Sequence, residues 1–188
     1  MPAPPGTLRL KAAVNALRAG GVIACPTEAV WGLSCDPQNE GAVAGLLELK
    51  GRPVSKGLIL VAADIQQVEF LLSGLTEQQR QSVCASWPGS TTWLLPHRDQ
   101  VPGWISGEHS TVAVRVSMHP VVAALCRAWG GPLVSTSANP AGARPARAAF
   151  QVRRYFGSAL DYVMAGRVGA QMRPSTIRDA CSGQILRY

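Results

Sequence analysis

An α/β fold in one domain, built around an open, twisted sheet, is predicted by three features of this sequence. Its 188 residues suffice for a single core. Short apolar runs bounded by turn signals alternate with segments of helical period. No internal repeat, long linker or low-complexity block divides the chain, and strands alternating with helices build open α/β sheets.

Thr7 is placed to cap a first helix running to about Ala19, with Ala13, Val14 and Leu17 on one face, and Gly20-Gly21 ends it. Val22 to Pro26 reads as a buried strand leading into a polar turn at Thr27-Glu28. A second helix is expected from Glu40 to Lys50, stopped by Gly51-Arg52-Pro53, and an apolar strand from Gly57 to Ala63. Asp64 and Thr76 are N-caps for helices over 65–72 and 77–86. A strand at 91–95 follows the break at Trp87-Pro88-Gly89. Pro102-Gly103 and Ser106-Gly107 mark an exposed connection. Thr111 to Val116 alternates as a strand. Pro120 opens a helix that ends at Gly130-Gly131. Leu133 to Thr136 is a short strand, and a helix at 146–156 and strands at 161–164 and 184–188 complete the reading.

With 47% hydrophobic and 15% charged residues, the chain is too apolar for disorder. Runs such as Leu58 to Ala63 are too short to span a bilayer, so no membrane role is expected. The N-terminus lacks a basic segment followed by a long apolar run, which points to a cytoplasmic protein. The five cysteines form no CxxC pair, and the three histidines lie near no acidic or cysteine cluster. Free thiols are expected, and no protein-ligated transition metal.

The net charge of +7 is unevenly spread: residues 1–109 carry eight Lys and Arg against nine acids, and residues 110–188 carry ten Arg against two Asp. Such an excess concentrates polyanions, ATP or RNA alike, or it is simply a soluble basic surface. That the cations of this part are all arginine favours bidentate contacts to phosphate or carboxylate.

Four polar clusters sit at strand ends, where open α/β sheets bind ligands. Thr27 and Glu28 emerge at the end of a buried strand, as part of a capped turn or as ligands for a small zwitterion. Lys50, Arg52 and Lys56 place three cations within seven residues, a solvated turn or a triphosphate site, in a loop that is not a Walker A motif. Arg115 lies in an apolar strand and, if buried, needs an anionic partner, either an internal carboxylate or a substrate's. Ser135, Thr136, Ser137 and Asn139, with Ser175 and Thr176 downstream, offer neutral hydrogen-bonding groups for phosphate, amino acid or ribose, or cap turns. No Ser-His-Asp or Cys-His arrangement stands out, and nothing suggests a covalent mechanism.

In this order the clusters resemble the YrdC family, and more closely its short bacterial branch of threonylcarbamoyl-AMP synthases (TsaC). The motifs are PTEAVWGL (26–33), KGRPVSKGLIL (50–60), WPGSTTWLLP (87–96), VAVRV with HP (112–120), PLVSTSAN (132–139) with Gly142, and PSTIRD (174–179). The broader family often has Thr-x-Tyr in place of Ala29-Val30-Trp31 and Pro in place of Gly57. The extra C-terminal domain of long members is not expected here.

The resemblance implies a mainly parallel but mixed, twisted sheet with a basic concave surface, in a single domain over 1–188. It implies ATP with Mg2+, L-threonine and bicarbonate as the ligand set. Lys50, Arg52 and Lys56 would be catalytic and hold the phosphates, with Ser137, Asn139 and Arg144 on the nucleotide. Thr27, Arg115, Ser135 and Ser175 would form the threonine pocket, Arg115 pairing with the carboxylate. The implied reaction makes N-carboxythreonine and then adenylates it, with Val30, Trp31 and Leu33 shielding labile species from water. Some turnover of serine is expected, since one methyl group is worth only about 1–3 kcal/mol. Handover to the TsaB–TsaD–TsaE machinery, and contact with tRNA or double-stranded RNA, follow from the same analogy.

Two rivals remain. One is an RNA-binding ribosome-maturation factor without turnover, motivated by the arginine-rich second part. The other is a carbamoyl-transfer module like that of hydrogenase-maturation proteins.

Overall fold

The computed structural model describes residues 4–187. Among them run α1 (Thr7–Arg18), β1 (Ile23–Pro26), β2 (Trp31–Ser34), α2 (Glu40–Lys50), β3 (Ile59–Ala62), α3 (Glu69–Leu72), α4 (Glu77–Ala85) and β4 (Thr91–Pro96). There follow α5 (Gly103–Ser106), β5 (Thr111–Val116), α6 (Pro120–Trp129), β6 (Leu133–Ser137), α7 (Ala149–Phe156), β7 (Tyr162–Val163), β8 (Thr176–Asp179) and β9 (Ile185–Arg187). The strands form one sheet in the order β7-β1-β2-β6-β3-β5-β4-β8-β9.

The α/β class and the mixed sheet are as expected, but the parallel share is smaller. β1–β7, β3–β5 and β4–β8 are parallel, and the other five neighbouring pairs are antiparallel. Chain length between strands explains this. The four residues from Thr27 to Val30 allow only a hairpin between β1 and β2, whereas a parallel pair needs a crossover of a dozen residues or more.

Local chemistry sets the helix ends. Asn39 caps α2, its side chain accepting from the Ala42 N–H at 3.0 Å, and Gly51 closes it in the left-handed region at φ 58°. Pro120 stands at the start of α6 and Gly130 ends it at φ 96°. Thr76 and Gln79 form a capping box on α4. Thr7 is not a cap but the first helical residue, with Gly6 at the N-cap. The helix expected over 65–72 is a 3-10 turn, Ile65–Val68, followed by α3. β2, α5 and β8 were not anticipated. The strand expected to reach Tyr188 extends one residue beyond the described residues.

Two apolar layers sandwich the sheet. On one face Val43, Leu46, Leu71, Val83, Ile105 and Val152 pack against Leu33, Leu60, Val114 and Val134. On the other, Ala13, Val14 and Leu17 of α1 and Val121, Val122 and Leu125 of α6 cover Ile23, Cys25, Val61 and Leu133. This second layer covers only part of its face. Strand side chains alternate, so Ile59 and Ser135, two residues from Val61 and Leu133, share that face beyond the helices. The uncovered part is the site.

Among the described residues, no helix is long and apolar enough to cross a membrane.

Candidate active site

A cleft of about 440 Å³ opens on the uncovered face, floored by residues that the sheet register aligns. Gly32 pairs with Ser137, Ile59 with both Ser135 and Ala113, and Ala113 with Leu94. Ile177 and Arg187, paired across β8 and β9, extend the lining toward the sheet edge. The cleft therefore lies across the face of the sheet, not only at the carboxyl ends of its strands. Gly32 keeps the floor open: a Cβ there would stand 3.3 Å from both the Thr136 carbonyl and the Thr27 Cγ2.

Of the residues picked from sequence, Thr27, Arg52, Lys56, Arg115, Ser135, Ser137 and Ser175 all line this one cleft, together with Val30 and Trp31. Leu33 does not; it is fully buried in the core. Arg52, Lys56, Arg115 and Arg187 give the lining four cations, and among the described residues no carboxylate lines it. The cleft is thus an anion site by composition.

The cationic loop is held in shape from within. Arg52 Nη2 donates to the carbonyls of Lys56 (3.2 Å) and Gly57 (2.9 Å), and its Nε is buried without a partner. Burial lowers the pKa of Arg52 from its usual value. Lys56 is exposed at the rim. Gly57 has φ 60°, and a Cβ on it would lie 2.8 Å from the Ser106 carbonyl. A proline, fixed near φ −65°, does not fit that backbone, so this position depends on glycine's conformational freedom.

Lys50, Asn139 and Arg144 stand outside the lining. Lys50 is 6% exposed; its ammonium donates to the carbonyls of Ser137 and Asn139, the latter at 2.8 Å. Its own carbonyl accepts from Ala141 N–H at 2.7 Å. The end of α2 thus clasps the chain leaving β6. Burial, and then the charge of Arg52, push the Lys50 pKa down from 10.5 to about 8. The Asn139 amide donates to the carbonyls of Pro140 (3.0 Å) and Ala143 (2.9 Å), closing the next turn, and its Oδ1 is buried without a partner. Arg144 is exposed, and the adjoining Pro145 reaches the cleft.

In the other half, Thr27 Oγ1 donates to the Val30 carbonyl at 2.8 Å and closes the β1–β2 turn, and the residue also lines the cleft. Arg115 has the internal carboxylate that the sequence left open: its Nη1 lies 2.9 Å from Glu28 Oε2. Ser117 Oγ donates to Glu28 Oε1 at 2.6 Å. Burial opposes ionisation of Glu28, but the Arg115 guanidinium and the Ser117 hydroxyl hold its carboxyl below the usual range. The Ser175 hydroxyl shares a 2.7 Å hydrogen bond with Thr92.

Sequence reasoning missed Arg187, whose Nη2 donates to the Ser175 carbonyl at 3.0 Å, and Ser106, His109 and Thr111 along one wall. Burial, and then the charge of Arg115, lower the Arg187 pKa. Cys25, Cys35 and Cys126 are buried, their thiols raised by burial away from thiolate formation. Among the described residues, no group of three or more His, Cys, Asp or Glu is placed to hold a metal ion.

The sequence model of the Sua5/YciO/YrdC family, described as "Telomere recombination", matches residues 15–188. The chain belongs to this family. It is 55% identical over 186 residues to the threonylcarbamoyl-AMP synthase of Halorhodospira halophila, covering 98% of this chain and 97% of that protein. The enzyme of the same name from Cellvibrio japonicus is 55% identical over 179 residues, 95% of each chain. Among solved structures, P. abyssi Sua5 complexed with L-threonine superposes with a TM-score of 0.84 at 32% identity, over 90% of this chain and 50% of that one. This chain thus spans about half the length of that Sua5. E. coli YciO shares the fold, with a TM-score of 0.88 at 24% identity over 99% of this chain and 91% of its own.

Proposed function

We propose that the cleft makes threonylcarbamoyl-adenylate and pyrophosphate from L-threonine, bicarbonate or CO2, and ATP, the activated intermediate for N6-threonylcarbamoyladenosine in tRNA. The observation that carries this reading is the single cleft joining Arg52 and Lys56 to Arg115, Thr27, Ser135, Ser137 and Ser175. A triphosphate site and an amino-acid site share one cavity, of a size ordinary for small-molecule sites. The names of relatives 55% identical over nearly the full chain support the same reaction, as does a threonine complex of a Sua5.

The chemistry asks for position and charge. Threonine's amine adds to CO2 and loses a proton, giving N-carboxythreonine; from bicarbonate the same step releases water. A carboxylate oxygen of that carbamate then attacks the α-phosphorus, and the bond to the pyrophosphate oxygen breaks. No protein nucleophile is needed. Arg52 and Lys56 take up charge growing on pyrophosphate. Ser137 lies against the nucleotide. Lys50 and Asn139 act through the loop they hold together, a role behind the phosphates instead of on them, and Arg144 stands beside the entrance. Magnesium arrives on the triphosphate as part of the substrate.

Arg115 receives the threonine carboxylate, with Thr27, Ser135 and Ser175 around the rest of the amino acid. Val30 and Trp31 give an apolar wall that limits hydrolysis of the carbamate and mixed anhydride. The product passes to the TsaB–TsaD–TsaE machinery in the cytoplasm, and the exposed Arg147, Arg153 and Arg154 offer a surface for tRNA.

The test is pyrophosphate release on mixing the protein with MgATP, bicarbonate and L-threonine. Threonine-dependent release is expected. Salt-sensitive RNA binding without turnover would instead favour an RNA-maturation factor, and activity with carbamoyl phosphate in place of bicarbonate a carbamoyl-transfer module.

A further inference from the structure

We propose that Glu28 is a positioning residue for the amino-acid substrate: it fixes the Arg115 guanidinium in place and tempers its charge. The inference rests on the reading of the cleft given above. Glu28 is only 4% exposed and does not line the cleft; Arg115, 8% exposed, does. Glu28 therefore acts through Arg115.

The geometry is that of a lateral support. Glu28 Oε2 lies 2.9 Å from Nη1, and the approach is off-line, so that Oε2 accepts no hydrogen bond. The contact is one of charge, and it does not commit the guanidinium's two-nitrogen fork, which suits a carboxylate ligand. Glu28 itself is anchored at its side chain and at its backbone. Ser117 Oγ donates to Oε1 at 2.6 Å, and the same hydroxyl accepts the His119 N–H at 3.1 Å. The Glu28 carbonyl accepts the Gln171 N–H at 3.2 Å. A carboxylate so held cannot follow Arg115; Arg115 must come to it.

Charge balance gives the second half of the argument. Arg115 and Arg187 share the cleft, and each like charge disfavours the other. Glu28 offsets one of the two positive charges. Of these two charges about one remains in excess, the charge of one substrate carboxylate, while Arg52 and Lys56 are left for the phosphates. Without Glu28 the arginines repel, Arg115 loses its fixed position, and the carboxylate site becomes diffuse.

The experiment compares the wild-type chain with Glu28→Gln and Ser117→Ala. It measures threonine binding by calorimetry alongside steady-state pyrophosphate release. Loss of a contact to a charged group is worth about tenfold or more in affinity. Glu28→Gln is therefore expected to raise the threonine Kd and KM about tenfold while leaving the ATP KM within about twofold. Ser117→Ala should move the threonine constants in the same direction by less, and it carries the test if Glu28→Gln does not fold. Added to Arg115→Lys, the Glu28→Gln change should have little further effect, because the two act as one unit. An unchanged threonine Kd in a folded variant, or equal rises in the threonine and ATP constants, would overturn the inference. A wild-type chain that binds threonine but releases no pyrophosphate would count against the reaction and leave this inference standing.

Discussion

Replacing Lys50 by methionine keeps the aliphatic stem and deletes the ammonium. Its hydrogen bonds to the carbonyls of Ser137 and Asn139 are lost; at about 1.5–3 kcal/mol each for bonds from a charged donor, that is about 3–6 kcal/mol. Against this stands the cost of holding a charge at a buried site. The pKa falls from 10.5 to about 8, and at about 1.36 kcal/mol per unit this cost is about 3 kcal/mol. The two effects largely cancel. The variant should lose about 0–3 kcal/mol of stability, a fall in Tm of at most about 12 °C for a chain of this size. Function should suffer more, because the loop carrying Ser137 is no longer clasped to α2; an ATP KM raised about tenfold, near 1.4 kcal/mol, is expected. The sign of the pH effect follows from linkage. The unfolded lysine keeps its proton up to about pH 10.5 and the folded one only to about 8, so the unfolded state binds more protons between these values and wild-type stability rises with pH there, relative to the methionine variant. Thermal unfolding at pH 7 and 9.5, with the ATP dependence of pyrophosphate release, tests this. A loss above about 5 kcal/mol would refute the cancellation, and an unchanged ATP KM would refute the clasp.

Lys56→Ala, at an exposed rim position, should leave Tm nearly unchanged and cost about 1–3 kcal/mol of transition-state stabilisation, read as a fall in kcat/KM. Arg115→Ala should unfold more readily than wild type, because it leaves Glu28 a buried unpaired charge, worth about 3–5 kcal/mol; denaturant titration at pH 7 checks it. The Glu28 carboxyl, held below its usual range, stabilises the fold above its unfolded pKa, and that contribution is lost as the pH drops through the folded value. The wild type should therefore lose more stability than Glu28→Gln on acidification.

Local rules made much of this legible. Asn39 and Gly51 around α2, Pro120 and Gly130 around α6, and the capping box of α4 are written within a few residues of the features they determine. β2 was not legible, because Trp31–Ser34 follows a turn closed by Thr27 and Val30 and pairs through Gly32, a residue that looks like a breaker until its neighbours across the sheet are known. The motif residues were found, but not the direction of their side chains. Lys50 ends α2 beside two further cations, and nothing nearby in sequence shows that the carbonyls of Ser137 and Asn139 wait for it. Arg187 belongs to a three-residue edge strand without motif neighbours and reaches the site only through the pairing of β8 with β9.

The floor of the cleft draws on β2, β6, β3, β5, β4 and β8 side by side, so the site exists only when the whole register is in place. Its lining gathers Arg52, Lys56, Arg115 and Arg187 with no carboxylate among the described lining residues. Like charges so arranged oppose the folded state until an anion joins them. The arrangement is sustained by pieces that are neutral or paired: backbone carbonyls on Arg52 and Arg187, and Glu28 behind Arg115. Each support takes up part of a cation's charge and leaves part for the ligand. Stability withheld from the empty cleft thus becomes affinity when phosphate and carboxylate arrive, and removing the exposed Lys56 side chain should barely disturb the empty protein, whereas Arg52, Arg115 and Arg187 each also hold a structural contact that their removal would break.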